Sequence, residues 1–334
     1  MSGGMSGPGT SADAMTQNRS ALAGPFAGAT LHPPDHAFDD PAQLPLWDDG
    51  PRLSACESEL LEGLSFSTHA GQQRASLRFT HLQAAQPVTH ALVRLRAPDQ
   101  AVLSQQLDLV AAYADLRADR EAEILAQLSF PITFWNAVVG LSPHRHKRTM
   151  QLIELGFSLA VHVEMRFKHI FAVRRPMEYS PQIQPMIPTP GHGAWPSGHA
   201  TEAFLTARLF KSLLDEAPAG LQRGATCEEQ LQRLAARIAS NRVVAGVHYP
   251  VDSAAGRVLG TALADFLVAR CKGSRMVPRD FDGRQFLGVD GEPADLRLSD
   301  PIDQGAGGVL GAPVRLPAAP MLAWLWNAAR DEWR

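Results

Sequence analysis

Three ordered clusters in the chain combine cations, small donors and histidines in a way that suits a tetrahedral oxyanion: Lys168 with Arg175, Ser197-Gly198-His199 after Pro196, and Arg242 with His248 and Asp252. Lys168 and Arg175 are seven residues apart. On one α-helix that spacing projects two cations from nearly one face, about two turns and roughly 10 Å apart. Arg242 offers a planar, permanently charged fork that matches a tetrahedral oxyanion. Ser197 adds a hydroxyl donor, and Gly198 lets an anion approach the backbone. His248 is a candidate nucleophile or ligand. Asp252 is placed to hold one ring nitrogen of His248 and leave the other free for bonding. His199, beside the small donors, is the candidate acid-base residue.

Such a cage needs elements that aim its members inward. Apolar residues recur at helical spacing over Leu103–Leu128 and over Lys147 to about Phe171, which places Lys168 near a helix end. Pro176 ends that helix, and Pro181, Pro185, Pro188 and Pro190 keep the next stretch in loop. Helices are expected to resume after Pro196, between about Cys227 and Ala245, from Pro250 to Ala269, and finally near Met321–Arg330. The helix start at Pro196 would turn free N–H groups and the positive dipole end toward the anion. Gly246 and Pro250 bend the chain so that His248 can enter the same cavity. The run Ser76–Ala97 has alternating patches that suit strands, divided by Pro87, and Lys272–Pro317 reads as loop.

The chain has 334 residues, 45% of them hydrophobic, a formal charge of −3 and three cysteines. It can bury a large core. It lacks the basic surplus that drives nucleic-acid or anionic-membrane binding, so no nucleic-acid partner is expected. Cys56, Cys227 and Cys271 are odd in number and far apart, which suggests reduced thiols. The stretch Ile124–Pro143 is too interrupted by polar residues for a membrane span, and residues 1–50 show no secretory signal, so a cytoplasmic location is the expectation. His162, His169 and His192 add histidines near the clusters, but no pair has zinc-ligand spacing. Trp195 suits a pocket wall or the core equally.

The ordered motifs Lys168-x6-Arg175-Pro176, Pro196-Ser197-Gly198-His199 and Arg242-x5-His248-x3-Asp252 resemble one superfamily. It joins type 2 phosphatidic acid phosphatases, bacterial non-specific acid phosphatases and vanadium-dependent haloperoxidases. The resemblance covers Lys168 to Asp252 directly. It implies an all-α fold, a helical bundle of that type with an extended N-terminal arm. The expected division is an extended or disordered arm over 1–50, a segment of uncertain structure over 51–99, a helical catalytic domain over 100–272, and a C-terminal loop with a short helix over 273–334.

The lead-in PTPGHGAWPSGHAT and the long N-terminal extension resemble the haloperoxidase branch, which is the main functional expectation. It implies vanadate as cofactor, with His248 as its axial ligand and Lys168, Arg175, Ser197, Gly198 and Arg242 on its oxygens. Lys168 and His199 would assist catalysis, and hydrogen peroxide and halide would be the reactants. The alternative is a phosphatase without cofactor, acting on phosphomonoesters through a phosphohistidine at His248, with Asp252 orienting it and His199 as acid and base. A second alternative is a non-catalytic oxyanion-binding protein. Asn241 departs from the Ser that many phosphatases carry before the arginine, and Val173-Arg174 from the Gly-Arg pair of the lipid phosphatases. Resemblance to soluble members further implies a homodimer.

Overall fold

A computed structural model describes residues 8–29, 31, 35–129, 131–216, 225–288 and 293–333. Along the chain the elements are α1 (Pro8–Leu22), α2 (Asp49–Leu61), β1 (Leu64–His69), β2 (Arg74–Gln83) and β3 (Gln86–Arg96). Then come α3 (Gln100–Ala112), α4 (Arg117–Ala126), α5 (Ile132–Val139), α6 (Lys147–Phe171), α7 (Pro176–Tyr179), α8 (Gly198–Asp215), α9 (Ala225–Val244) and α10 (Pro250–Lys272). The chain closes with β4 (Arg275–Met276), β5 (Arg279–Asp282), β6 (Gly307–Val309), β7 (Val314–Arg315) and α11 (Pro320–Asp331). Residues 1–43 and 44–334 form two compact units.

The expectation of an all-α bundle is wrong. Strands order as β1-β2-β3-β5-β6 in one mixed sheet, and β4 pairs with β7 in a second. Pro87 does not divide a strand. It stands next to the β2–β3 turn, opposite Leu82, where a missing donor costs little. Ala84 and Ala85 make that turn with positive φ, 48° and 62°. The strands hidden in the expected C-terminal loop are two to four residues long, and β5 owes its place to parallel pairing with β3, Val93 opposite Arg279 through Arg96 opposite Asp282. Short strands paired across nearly the whole chain leave no local period to read.

The N-terminal 1–50 are also not simply extended. Pro8–Leu22 is helical, Pro41–Leu46 is a 3-10 turn, and α2 begins at Asp49. Residues 1–7, 30 and 32–34 of that arm, Pro33 and Pro34 among them, lie outside the described residues. Among the described residues no helix is long and apolar enough to cross a membrane.

The helices that carry the motifs form the core. On α6 the buried set Leu152, Leu155, Leu159, Val163 and Phe167 recurs at intervals of three and four, a stripe that faces α8 and α10. Helix α10 is buried on nearly every side. It meets α8 at Gly256 and Gly260, one turn apart. A Cβ at Gly256 would lie 2.7 Å from Ala200 Cβ and 2.9 Å from Ser197 O; one at Gly260 would lie 2.2 Å from Thr201 O. Backbone therefore touches backbone at the start of α8.

That contact yields a test. Gly260→Ala gains helix propensity of about 1 kcal/mol but must push the α8 backbone away. We expect a net destabilisation of about 1–3 kcal/mol in urea unfolding; wild-type stability would show that the two helices do not depend on this approach.

Candidate active site

Lys168 lies in the last turn of α6 and is buried. Its Nζ donates to Pro196 O at 2.6 Å and to Gly193 O and Ala194 O, each at 3.3 Å. All three ammonium protons thus have a backbone carbonyl within reach, and the lysine clamps the loop that leads into Ser197. Arg175 does not share its helix, contrary to the expectation from spacing. Helix α6 ends at Phe171, Ala172 turns with φ 47°, and Arg175 sits in extended backbone before α7. A left-handed residue after the last turn is a common helix stop, here without a glycine to announce it. Lys168 and Arg175 still converge, because Arg175 Nη2 also donates to Gly193 O, at 3.3 Å.

Ser197 is the N-cap of α8, its Oγ accepting from Ala200 N–H at 3.4 Å. Its own N–H donates to Asp252 O at 3.0 Å, so that backbone donor is engaged in joining α8 to α10. Gly198 follows for a steric reason: a Cβ there would meet the Glu164 carboxylate at 2.6 Å. Gly246, with φ +79°, turns the chain out of α9, where a Cβ would also strike Arg117 Nη2 at 2.8 Å. This turn delivers His248 just ahead of α10.

His248 and Asp252 form the pair expected of them. His248 Nδ1–H donates to Asp252 Oδ2 at 2.8 Å, and the same oxygen accepts from Tyr249 N–H at 3.0 Å. That tautomer leaves Nε2 unprotonated, where it accepts from Arg175 Nη1 at 3.0 Å. Burial, and the nearby charges of Arg175, Lys168 and Arg242, hold the His248 pKa well below its ordinary value. The imidazole is neutral and its lone pair is oriented. Arg242 is 1% exposed. Its Nη2 donates to Ile124 O and Gln127 Oε1, both at 3.2 Å. Its Nε and Nη1 have no partner among the described residues, although buried donors are nearly always satisfied. Two fixed, unspent guanidinium donors beside a neutral histidine can receive an oxyanion.

His199 Nε2 donates to Gln127 O at 3.1 Å. Burial and the Arg242 charge depress its pKa to about 4. Gln127 is the residue that sequence reasoning missed. Its backbone carbonyl holds His199, its Oε1 accepts from Arg242 and from Asn241 Nδ2 at 2.9 Å, and its Nε2 donates to Glu123 at 3.1 Å. Asn241, the departure before Arg242, is fully buried and takes a donor from Arg120 at 3.0 Å. Two carboxyls were missed as well. Glu164, one turn before Lys168, is 3% exposed and its Oε2 has no partner among the described residues. Burial raises its pKa to about 7 against the pull of Lys168 and Arg175. Glu202, one turn after His199, is raised to about 8 by burial and by Glu164. An acid inside the apolar stripe of α6 was the signal available for Glu164.

His162 and His169 are exposed, and His192 bonds Arg175 through Nδ1 at 3.3 Å. Among the described residues no group of three or more side chains is gathered for a metal ion. Trp195 is fully buried, edge-on to Phe171 at 4.8 Å, and so belongs to the core.

The ionisations predict how an anion responds to pH. Glu164 (about 7), Asp252 (about 7, raised by burial) and Glu202 (about 8) are neutral below their pKa values and negative above; Lys168, lowered by burial to about 8, loses its charge over the same window. Every step makes the cage less positive as pH rises. Sulfate, whose charge is constant, should bind roughly tenfold or more tightly at pH 6 than at pH 9, and Glu164→Gln should shallow that slope. A calorimetric affinity flat across the range would remove these groups from the site.

A comparison with curated proteins finds none that matches. Among solved structures the chain is similar to the crystal structure of the first transmembrane PAP2 type phosphatidylglycerolphosphate phosphatase from Bacillus subtilis, at 18% identity and a TM-score of 0.29, over 49% of this chain and 91% of that one. A likeness of that degree transfers nothing to this chain. The family model described as PAP2 superfamily matches residues 151–274. Lys168, Arg175, Ser197, Gly198, His199, Arg242, His248 and Asp252 all fall inside that match.

Proposed function

We propose that the chain is a phosphatase of the PAP2 type that hydrolyses phosphomonoesters, with residues 100–272 as its catalytic domain and His248 as its nucleophile. The observation that carries this reading is the state of His248: Asp252 holds the proton on Nδ1, so Nε2 presents a lone pair, accepting from Arg175 Nη1 in the free protein, that phosphorus can take over beside the unpaired donors of Arg242. PAP2-superfamily members are phosphatases or haloperoxidases.

The steps follow from these atoms. Arg242 Nε and Nη1 bind the phosphoryl oxygens, and Arg175 Nη1, displaced from His248 Nε2 by the incoming phosphorus, joins them in neutralising the charge. His248 Nε2 attacks phosphorus, the bond from phosphorus to the ester oxygen breaks, and His199 gives a proton to the departing alcohol. A bound phosphodianion raises the pKa of His199 from its depressed value, because opposite charge favours the imidazolium. His199 then takes a proton from water, whose oxygen displaces His248 and releases phosphate. Asp252 stabilises the positive imidazole while the phosphoryl group is attached.

The same donors fit vanadate, which when bound at His248 would supply activation of hydrogen peroxide toward a halide. That reading asks Lys168 to polarise bound peroxide. Each Lys168 proton faces a backbone carbonyl, so the phosphatase reading, which needs only its charge, is better supported. Non-catalytic anion binding would leave His199 and the His248–Asp252 pair without a task. A cytoplasmic location and a homodimer remain part of the proposal. Cys56 and Cys271 are buried and form no disulfide, which suits a reducing compartment, and the dimer rests on the resemblance alone.

Assay of the full chain with p-nitrophenyl phosphate, and acid quenching of a radiolabelled substrate, should give turnover and an acid-labile phosphohistidine. His248→Ala should abolish both. His199→Ala should retain phosphate binding and lose about 10²–10⁴ in rate. Peroxide-dependent bromination on adding orthovanadate, with no phosphomonoesterase activity, would reverse the assignment.

Arg242→Ala should weaken orthophosphate binding by about 1.5–3 kcal/mol, the worth of charge-assisted hydrogen bonds. Wild-type affinity in the folded variant would remove Arg242 from the cage.

A further inference from the structure

Beside His199 the protein contains a second cavity, of about 280 Å³, that the steps above do not use. Leu128, Trp135, Phe157 and Ile238 supply apolar wall, and His199 and Glu202 are its ionisable members. Its floor is one face of α8, because His199, Glu202 with Ala203, and Thr206 recur at helical spacing. His199 therefore belongs to the cage and to this cavity at once: its ionisation feels Arg242, and that of His248 feels His199.

We propose that this cavity is the leaving-group subsite of the active site, taking a compact, uncharged apolar alcohol, aryl or short branched alkyl, and rejecting an anionic one once Glu202 is ionised. The proposal rests on the phosphatase reading for its chemistry, since the alcohol must leave next to the residue that protonates it. Size sets the class. An apolar cavity of roughly 150 Å³ accepts benzene, whereas drug-sized pockets begin near 300 Å³. A space of about 280 Å³ holds a ring with small substituents and is too small for a long acyl chain. Charge sets the exclusion. The Glu202 side chain makes no hydrogen bond among the described residues and lines the cavity, with Glu164 close enough to raise its pKa. Once Glu202 is ionised, above about pH 8, an anionic substituent there would meet a carboxylate instead of a cation, while Arg175 and Arg242 keep the phosphoryl end.

Phosphonates separate this proposal from the reaction, because they bind without turning over. Titration calorimetry on the full chain would compare methylphosphonate, benzylphosphonate and 4-carboxybenzylphosphonate. Benzylphosphonate should bind at least about tenfold more tightly than methylphosphonate, the yield of burying one ring. At pH 9, where Glu202 is ionised, the carboxylated analogue should lose most of that gain, and Glu202→Gln should restore it severalfold. Ala203→Leu, which fills the cavity from α8, should bring benzylphosphonate to the level of methylphosphonate, whose binding in the same sample reports an intact cage. Equal binding of the benzyl and methyl compounds, or a benzyl advantage that survives Ala203→Leu, would overturn the subsite. A benzyl advantage abolished by Ala203→Leu in a protein that hydrolyses no phosphoester would sustain the subsite and sink the phosphatase reading.

Discussion

The close approach of α8 and α10 is the constraint on which the site depends. Gly256 and Gly260 remove the side chains that would otherwise hold the helices apart, so Ser197 N–H can reach Asp252 O at 3.0 Å. Asp252 is then fixed from both ends, its carbonyl by α8 and its carboxylate by His248 and Tyr249. Everything that orients the proposed nucleophile hangs on that contact, and the packing term and the polar terms cannot be adjusted separately.

The electrostatic design is a cluster of buried cations stabilised in different ways. Lys168 is matched by three carbonyls and Arg175 by five backbone or imidazole acceptors, whereas Arg242 keeps two donors unmatched. Leaving buried donors unmatched costs about 1–3 kcal/mol each, and the cost is offset only when an anion arrives. In the proposed reading, ground-state strain of this kind concentrates anion affinity at Arg242, which Ile124 and Gln127 hold in place, while Lys168 and Arg175 hold the loop that leads into Ser197.

Part of the candidate site was legible because charged residue types are rare in the core and their order is distinctive; the bond between His248 and Asp252 is as their spacing led us to expect. What escaped were residues of ordinary type placed by distant packing. Gln127 reads as the polar end of an amphipathic helix, and only the arrival of α9 across 114 residues turns it into a partner of Asn241. The helix limits of α6 and α10 followed from apolar period and proline. The mixed sheet did not, since β5 is a four-residue strand whose partner lies 186 residues earlier, Arg94 binding Asp280 through two 2.8 Å bonds. The departure of Arg175 from the helix of Lys168 was invisible for a related reason: Ala172 takes a left-handed conformation that composition does not advertise.

Gln127 lies outside the stretch that carries the family match, yet it grips Arg242 by its side chain and His199 by its backbone. The heritable motif and the working apparatus are therefore not coextensive. A chimera that transplanted residues 151–274 onto a foreign frame would import every signature residue and forfeit the strut that sets the angle between the anion's principal cation and the proton carrier. For this chain the recognisable segment is smaller than the mechanical one, which reaches back to Ile124 and Gln127 at the end of α4.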